Sequence, residues 1–421
     1  MSEQNYRRCN TKLSAYSRFG MKPGLDRIKR LLDGLGNPQK NLKVILVGGT
    51  NGKGSVCAYL SSILTQAGYK TGLYTSPHLV DYNERIKLNN RDISPRDFAR
   101  LFARVQNVIR VAAVPDPPTV FEILTAMAIL YFAEKKVDLA VCEVGLGGTF
   151  DATNILDPLF SVITNVDLEH TEVLGKTLNK IAKDKAGIVR PGAWLVTGDD
   201  KAVVIKTFRK ICEQKQAHLV IASRLRVSAT GQQPAVFGLR SNYQSQNLAV
   251  VGACIKLLKK FDYRVSNQAV SSGVKHTFWP ARFQILSRKP MVILDGAHNP
   301  AGVRHLIRAL QQSGYSRPAA LVFGAIKNKD TRQMLKVLLP HFDGVMITAF
   351  KYPTALPPRK ILRRVMAMPN VPAQIKLFSS PLSALQFARQ NQYATILVCG
   401  SLYLAGDLLE HLDGTAPNIV R

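Results

Sequence analysis

The stretch Val47-Gly48-Gly49-Thr50-Asn51-Gly52-Lys53-Gly54-Ser55 is rich in glycine. It begins with the last residue of the apolar run 44–47 and leads into a helical pattern. Glycines let backbone N–H groups turn toward a phosphate, and the start of a helix adds partial positive charge. The strict pattern G-x-x-x-x-G-K-S/T is not met, because Val stands at position 47 and Gly54 separates Lys53 from Ser55. A plain strand-to-helix turn is the alternative. A lysine within a glycine-rich strand-loop-helix favours nucleotide binding over that alternative.

The rest of the chain alternates short β-branched runs with amphipathic stretches, which predicts βαβ units and a mainly parallel sheet. We predict strands at 44–47, 71–74, 139–142, 160–163 and 195–197, and a second series at 291–294, 320–323, 345–348, 375–378 and 396–399. We predict helices at 54–68, 94–110, 119–134, 178–187, 201–216, 299–313, 330–340 and 382–390. The fold class is therefore α/β. The step Trp279-Pro280 resists helix and places a domain boundary near residue 285.

Length and composition limit the classes of protein that remain. A chain of 421 residues is long enough for about two domains, and 46% hydrophobic with 20% charged residues excludes wholesale disorder. The sequence contains no apolar run near the ~20 residues that a membrane helix needs, and residues 1–8 lack the apolar core of a signal peptide. Six scattered cysteines suit reduced thiols. We therefore expect a cytoplasmic protein without a membrane partner.

The net charge of +29 is dispersed, and one acidic stretch, residues 111–200, lies inside an otherwise basic chain. A large positive net charge is typical of proteins that bind nucleic acid, of proteins that bind small anionic substrates, or of organisms whose proteins are generally basic. Because the sequence has no block of like charge, we favour the last two explanations and do not expect a nucleic-acid partner.

The turn 49–55 resembles the P-loop of the Mur ligase superfamily, specifically that of the folylpolyglutamate synthase and dihydrofolate synthase family. Further segments resemble the same family and occur along this chain in the same order as in the family. They are 74–79 (which contains Thr75-Ser76-Pro77), 119–122, 143–148, 151–154, 169–171, 184–188 and 295–300. The resemblance implies an N-terminal P-loop ATPase-type domain (1–284) with a mainly parallel sheet. It also implies a C-terminal Rossmann-like glutamate ligase domain (285–421), with the active site between the two domains.

The resemblance also implies a reaction. ATP phosphorylates a pterin-linked carboxylate, and the amine of L-glutamate displaces phosphate to form an amide. The substrates would be dihydropteroate or folate, L-glutamate and ATP, in folate biosynthesis, and we expect a monomer. The cofactors would be ATP and one or two Mg²⁺ ions, with Lys185 carbamylated.

The implied site residues fall into four groups. The ATP-binding group is Gly49, Thr50, Asn51, Gly52, Lys53, Gly54, Ser55, Asn247, Arg282 and Asp295. The catalytic group is Lys53, Lys185 and His298. The substrate-binding group is Thr119, Val120, Phe121, Glu122, Phe150, Asp151 and Ala152. The metal-binding group is Ser55, Ser76, Glu143 and His170.

Several metal-site residues have simpler interpretations. Glu143 ends an apolar strand, where ligands collect in α/β sheets, but it could instead cap a helix or form a salt bridge. Ser76 could be a turn hydroxyl before a proline. His170 alone is typical of a surface histidine or a transition-metal ligand. Lys185 could be a solvated helix lysine, whereas carbamylation needs a buried amine with a lowered pKa.

The other groups have alternatives as well. Thr119 and Glu122 have the spacing of a capping box, which is compatible with substrate contact by the same segment. Asn247 in a helix would, from its sequence alone, face solvent. Asp295 and His298 could form an Asp-Gly turn close to a helix N-cap.

Three departures from the family pattern concern the substrate rim and the linker. Thr149 stands where the family places arginine, Phe150 replaces leucine, and Ala281 replaces glycine before Arg282. None of them touches the phosphate or metal groups. A Mur-type cell-wall ligase and a P-loop nucleic-acid ATPase are the rival functions. Only 43 residues precede the first predicted strand, which is too few for the extra domain of the former.

Overall fold

The computed structural model describes residues 3–20, 22–111, 116–224, 242–369 and 371–412. The chain forms two compact units. The first extends to Thr277 and the second begins at Phe278, while residues 242–244 group with the second unit. The assignment of 1–284 and 285–421 as functional domains stays a prediction.

Eight strands form the sheet of the first unit among the described residues. They are Val44–Gly48 (β1), Thr71–Tyr74 (β2), Ile86–Leu88 (β3), Arg91–Asp92 (β4), Leu139–Glu143 (β5), Phe160–Ile163 (β6), Trp194–Thr197 (β7) and His218–Ile221 (β8). Their order is β4-β3-β2-β5-β1-β6-β7-β8, and only β3 and β4 run antiparallel to their neighbours. Because β1 is parallel to β5 and β6, the loops that follow these three strands emerge at one edge of the sheet.

Some helices of this unit pack on the sheet and others pack on those helices. The helices are Glu3–Ala15 (α1), Asp26–Gly34 (α2), Lys53–Gln66 (α3), Pro95–Val111 (α4), Val120–Lys135 (α5), Thr171–Leu174 (α6), Leu178–Lys185 (α7), Ala202–Gln214 (α8), Asn242–Leu258 (α9, which belongs to this unit from residue 245 onward) and Asn267–His276 (α10). Helix α5 is apolar on all sides and is buried from Glu122 to Phe132, because it lies between β2 and the helices α2 and α4.

The second unit has its own sheet and core. Its strands are Gln284–Arg288 (β9), Met291–Leu294 (β10), Ala319–Phe323 (β11), Gly344–Thr348 (β12), Gln374–Phe378 (β13) and Thr395–Cys399 (β14), in the order β13-β12-β11-β14-β10-β9. All neighbours are parallel except β9 and β10. Its helices are Pro300–Gln312 (α11), Thr331–Leu338 (α12), Pro358–Met366 (α13), Pro381–Gln390 (α14) and Leu402–Leu412 (α15).

The predicted α/β class is confirmed, and every predicted strand is present with ends within one residue of the prediction. The eight predicted helices are present as α3, α4, α5, α7, α8, α11, α12 and α14. The strands β3, β4, β8 and β9 and several helices were not predicted. Among the described residues, no helix has the length and apolar character needed to span a membrane.

Candidate active site

The glycine-rich turn joins β1 to α3 in a conformation that requires glycine at two positions. Gly49 has φ 137° and Gly52 has φ 83°, both in the region that L side chains rarely adopt. A Cβ at Gly49 would lie 1.9 Å from Oγ1 of Thr164, and a Cβ at Gly52 would lie 2.3 Å from Oδ1 of Asn247. The backbone of the turn is therefore packed closely against its neighbours.

Residues that follow β6 hold the turn in place. The backbone N–H of Thr50 donates to the carbonyl oxygen of Asn165 (2.9 Å). The Asn165 side chain accepts from the N–H of Asn51 (3.0 Å) and donates to the Asn51 carbonyl (3.0 Å). The hydroxyl of Thr164 donates to the same carbonyl (2.6 Å). Sequence reasoning missed Thr164 and Asn165. Two polar residues directly after a buried strand could have indicated a binding site, because ligands bind at the carboxyl ends of strands in α/β sheets.

Two lysine ammonium groups lie at this turn. Nζ of Lys53 donates to the carbonyl oxygens of Gly49 (3.1 Å) and Thr50 (3.3 Å). Nζ of Lys185, at the end of α7, also donates to the Gly49 carbonyl (2.9 Å). Lys185 is only 4% exposed, and burial, together with the nearby positive charge of Lys53, lowers its pKa to about 7. The interpretation of Lys185 as a solvated helix lysine is therefore wrong, because α7 directs its amine into the protein.

Oxygen donors for a metal ion lie close to the turn. Ser55 is buried in the first turns of α3, and among the described residues its Oγ is one of the few buried polar atoms without a hydrogen-bond partner. Glu143 ends β5 and is buried, and its Oε2 accepts a hydrogen bond from the backbone N–H of Ser76 (3.0 Å). Leaving a hydroxyl unpaired in a buried position is costly. A hydroxyl and a carboxylate are hard oxygen donors, so these residues fit Mg²⁺.

His170 lies on the loop after β6. It adopts φ 51° and precedes the short helix α6, and its Nδ1 lies 3.7 Å from Oε1 of Glu172. Its assignment to a second metal ion stays a prediction.

Asn247 is buried within α9, and its side-chain amide packs against Gly52. The interpretation that it faces solvent is wrong, because the face of α9 that carries it packs on the glycine-rich turn. Its side chain therefore lies at the predicted nucleotide site.

The segment predicted to bind substrate begins α5. The capping box is confirmed: Oγ1 of Thr119 accepts from the N–H of Glu122 (3.2 Å), and Oε2 of Glu122 accepts from the N–H of Thr119 (2.7 Å). Val120 and Phe121 are half-buried, and the ring centroid of Phe121 lies 5.9 Å from that of Tyr74. Sequence reasoning missed Arg27, whose Nε donates to Oε1 of Glu122 (3.0 Å).

The neighbouring segment 150–152 combines an exposed ring with a buried carboxylate. Asp151 accepts hydrogen bonds from the N–H groups of Leu146 (2.8 Å) and Thr153 (3.0 Å), and burial raises its pKa. Ala152 is buried beside it, whereas the side chain of Phe150 is 58% exposed. The carboxylate therefore fixes the loop, and the ring of Phe150 is presented to solvent.

The departures from the family pattern have local structural effects. The hydroxyl of Thr149 donates to the carbonyl oxygen of Asp184 (3.0 Å), the residue before Lys185. Ala281 adopts φ 54°, a conformation that costs an alanine roughly 1 kcal/mol and costs glycine much less.

Three predicted residues of the second unit lie around the end of β10. Asp295 is buried, and its carboxylate accepts from the N–H groups of Phe283 (2.7 Å) and Ala297 (2.8 Å). Nδ1 of His298 donates to the Gly296 carbonyl (2.9 Å). A Cβ at Gly296 would lie 2.5 Å from Nη1 of Arg282, so Arg282 also lies at this turn. The predicted N-cap is also present at Asn299, whose side chain accepts from the N–H of Gly302.

Family models and individual relatives both match this chain to Mur-type ligases. The Mur ligase middle domain matches residues 47–252, and the Mur ligase glutamate ligase domain matches residues 281–402. The chain is 32% identical over 418 residues to a dihydrofolate synthase/folylpolyglutamate synthase of Bacillus subtilis, covering 94% of this chain and 96% of that protein. It is 30% identical over 398 residues to the protein of the same name from Escherichia coli, covering 93% and 91%.

Two solved structures extend the similarity to the whole fold. Folylpolyglutamate synthase of Mycobacterium tuberculosis complexed with ADP and AMPPCP has a TM-score of 0.88 at 28% identity, over 99% of both chains. An Escherichia coli structure in complex with DHPP and ADP has a TM-score of 0.85 at 29% identity, over 96% of this chain and 98% of that chain.

Proposed function

The chain belongs to the folylpolyglutamate synthase and dihydrofolate synthase family of the Mur ligase superfamily, and from this membership we propose that it joins L-glutamate to dihydropteroate and to reduced folates through an acyl phosphate. It is an ATP-dependent carboxylate–amine ligase of folate metabolism. The proposal of two synthase activities in one chain follows the relatives from Bacillus subtilis and Escherichia coli, whose names give both.

The observation that carries the proposal is the turn 49–55 with its unpaired hydroxyl. The start of α3, the backbone of the turn and the ammonium group of Lys53 together form a site for a triphosphate. Ser55 Oγ, without a partner among the described residues, supports a metal ion bound next to those phosphates. In this proposal Asn247, Arg282 and Asp295 also contact the nucleotide.

Mg²⁺ would be held by Ser55, Ser76 and Glu143, with His170 as a ligand of a second ion. When bound, the ion neutralises charge on phosphate oxygens. The chain's own contribution is to hold these oxygens close to the phosphate turn: the buried Glu143 is fixed by the backbone N–H of Ser76.

The reaction proceeds in two steps that the chain's residues support by position and charge. A carboxylate oxygen of the pteroate attacks the γ-phosphorus of ATP, and the bond to ADP breaks. The amine of L-glutamate then attacks the acyl carbon, the carbon–oxygen bond to phosphate breaks, and the amine nitrogen loses a proton. Lys53 stabilises the negative charge that moves between phosphate oxygens, and His298 is kept in this proposal as a catalytic residue.

Lys185 would act as a carbamate. Carbamylation forms a bond between a neutral amine nitrogen and the carbon of CO₂, with loss of a proton from the nitrogen. The lowered pKa of about 7 supports this step, since roughly half of the amines are neutral near neutral pH. The carbamate is an anion next to Lys53. The protonated amine of Lys185 would instead place a second positive charge there.

The pterin ring would bind at Thr119, Val120, Phe121 and Glu122 together with Phe150, Asp151 and Ala152. The half-buried ring of Phe121 and the exposed ring of Phe150 offer apolar faces to a flat substrate. The chain would act as a monomer in the cytoplasm. All six cysteines are free thiols, which supports a reducing compartment.

Release of ADP by the purified protein tests the proposal. We expect release to require Mg²⁺ and to be stimulated by dihydropteroate plus L-glutamate, with formation of dihydrofolate. A reduced folate in place of dihydropteroate tests the second activity. Stimulation only by a nucleotide-sugar substrate would show a cell-wall ligase, and stimulation only by DNA or RNA would show a nucleic-acid ATPase; either result would overturn the proposal.

A further inference from the structure

We propose that Arg27 is a positioning residue that holds the pterin-binding segment 119–122 in place from helix α2. This inference rests on the proposed function, because it assigns the role of Arg27 to the substrate of that reaction. Arg27 lies outside the sequence motifs named above.

The Arg27 guanidinium is nearly buried and uses all three of its nitrogens. Nε donates to both carboxylate oxygens of Glu122 (3.0 and 3.1 Å), Nη1 donates to Oδ2 of Asp116 (2.8 Å), and Nη2 donates to the carbonyl of Lys22 (2.5 Å). The side chain of Arg27 is 10% exposed and that of Glu122 is 4% exposed. The planar donor geometry of arginine satisfies these acceptors together, which a lysine cannot do.

Glu122 transmits this constraint to the start of α5. Its Oε2 accepts from both the N–H and the hydroxyl of Thr119 (2.7 and 2.9 Å). The same carboxylate therefore completes the capping box and pairs with Arg27. Without the guanidinium, the buried carboxylate of Glu122 would lack its counter-charge, and the capping box would lose the group that holds it in place.

Phe121 lies next to Glu122 and is held on its other side by the sheet. Its ring packs against Tyr74, and its carbonyl accepts from the hydroxyl of Thr125 (2.8 Å), which is itself 3.0 Å from the Tyr74 hydroxyl. A Cβ at Gly145 would lie 2.6 Å from Cζ of Phe121, so the ring packs directly on the loop that follows Glu143. The position of the Phe121 ring therefore depends on Arg27 on one side and on the loop after β5 on the other.

Kinetics of Arg27→Met and Arg27→Lys test the proposal, with Arg30→Met as the matched control. Arg30 lies one turn further along α2 and is exposed. For both Arg27 variants we expect the KM for dihydropteroate to rise by about 10- to 100-fold, since small misplacements of binding groups have effects of this size. The KM for ATP should change less than about threefold, and Arg30→Met should match the wild type. Direct binding of dihydropteroate, measured by its fluorescence, should weaken by the same factor as the KM rises.

Asp116→Asn keeps the test valid if the Arg27 variants do not fold. Asp116 is partly exposed, so its loss should leave the fold intact while it loosens the guanidinium, and the KM for dihydropteroate should rise severalfold without a change in that for ATP. Equal changes in both KM values, or unchanged binding of dihydropteroate by variants that fold, would overturn the role of Arg27. A wild-type protein that does not ligate glutamate at all would instead refute the proposed function.

Discussion

Lys53 and Lys185 donate hydrogen bonds to the same acceptor, the carbonyl oxygen of Gly49, at 3.1 and 2.9 Å. Burial of Lys185, and after it the repulsion between the two ammonium groups, lowers the pKa of Lys185 to about 7. A phosphate bound at the turn would draw Lys53 toward it, and a carbamate on Lys185 would replace the repulsion by attraction. Phosphate binding and carbamylation would therefore each reduce the repulsion between the ammonium groups of Lys53 and Lys185.

The first prediction concerns Lys53. Lys53→Ala should reduce ligation by at least about 10²- to 10³-fold with the fold intact, because the bound phosphates lose a cation of the turn. The initial rate of ADP release measures this effect. Lys206→Ala, which changes an exposed lysine of α8, is the control and should retain full activity. Normal turnover of the Lys53 variant would exclude the turn from the mechanism.

The second prediction concerns the metal site. Glu143→Ala should abolish activity at ordinary Mg²⁺ concentrations, because a buried carboxylate beside Ser76 is lost. A titration of activity against Mg²⁺ measures the effect, and Glu213→Ala, on the exposed face of α8, is the control. If the Glu143 variant has the magnesium dependence of the wild type, the metal binds elsewhere.

The third prediction is the pH dependence of stability that the Lys185 pKa implies. The ordinary pKa is 10.5 and the folded pKa is about 7, so between these values the unfolded chain binds a proton that the folded chain does not. Stability from this group therefore rises with pH above about 7, and below that pH the buried charge has its full cost.

Thermal unfolding in CO₂-free buffer tests this dependence. From about pH 6 to pH 9, the Tm of the wild type should rise relative to that of Lys185→Met, which has no titrating group at this position. A difference in Tm that stays constant with pH would contradict the lowered pKa. Added ¹³C-bicarbonate should produce a carbamate signal in NMR spectra of the wild type but not of the variant, and a bare amine at saturating bicarbonate would refute carbamylation.

The fourth prediction concerns the backbone at Ala281. Ala281→Gly should raise the free energy of unfolding by about 0.5 kcal/mol, because relief of a positive φ outweighs the added entropy of the unfolded chain. Urea unfolding measures the change. Ala309→Gly, in the interior of α11, should have the opposite sign and lower stability by about 1 kcal/mol. Destabilisation by both variants to the same extent would show that Ala281 is not strained.

The central strands could be predicted because their residues are buried on both faces, as in β1 and β11, where every residue is buried. The missed strands lie at or near the edges of the sheets: β3 has only three residues, and β8 is half-exposed, so neither has a continuous apolar run. Local pattern alone carries little information about such strands.

The candidate site was predictable where one chain segment carries the chemistry, as in the turn 49–55 and the capping box at Thr119. It was not predictable where distant segments meet. The burial of Asn247 depends on the packing of α9 against Gly52, and the pairing of Arg27 with Glu122 joins residues 95 positions apart. Periodicity assigns a side chain to a helix face but does not say which surface covers that face.

A crystal structure with a non-hydrolysable ATP analogue and Mg²⁺ tests the central claim most directly. We expect the phosphates to lie at residues 49–55, with Nζ of Lys53 moved from the Gly49 carbonyl to a phosphate oxygen and with Ser55 Oγ bound to the metal ion. An empty turn, with the nucleotide bound in another cleft of the protein, would contradict it.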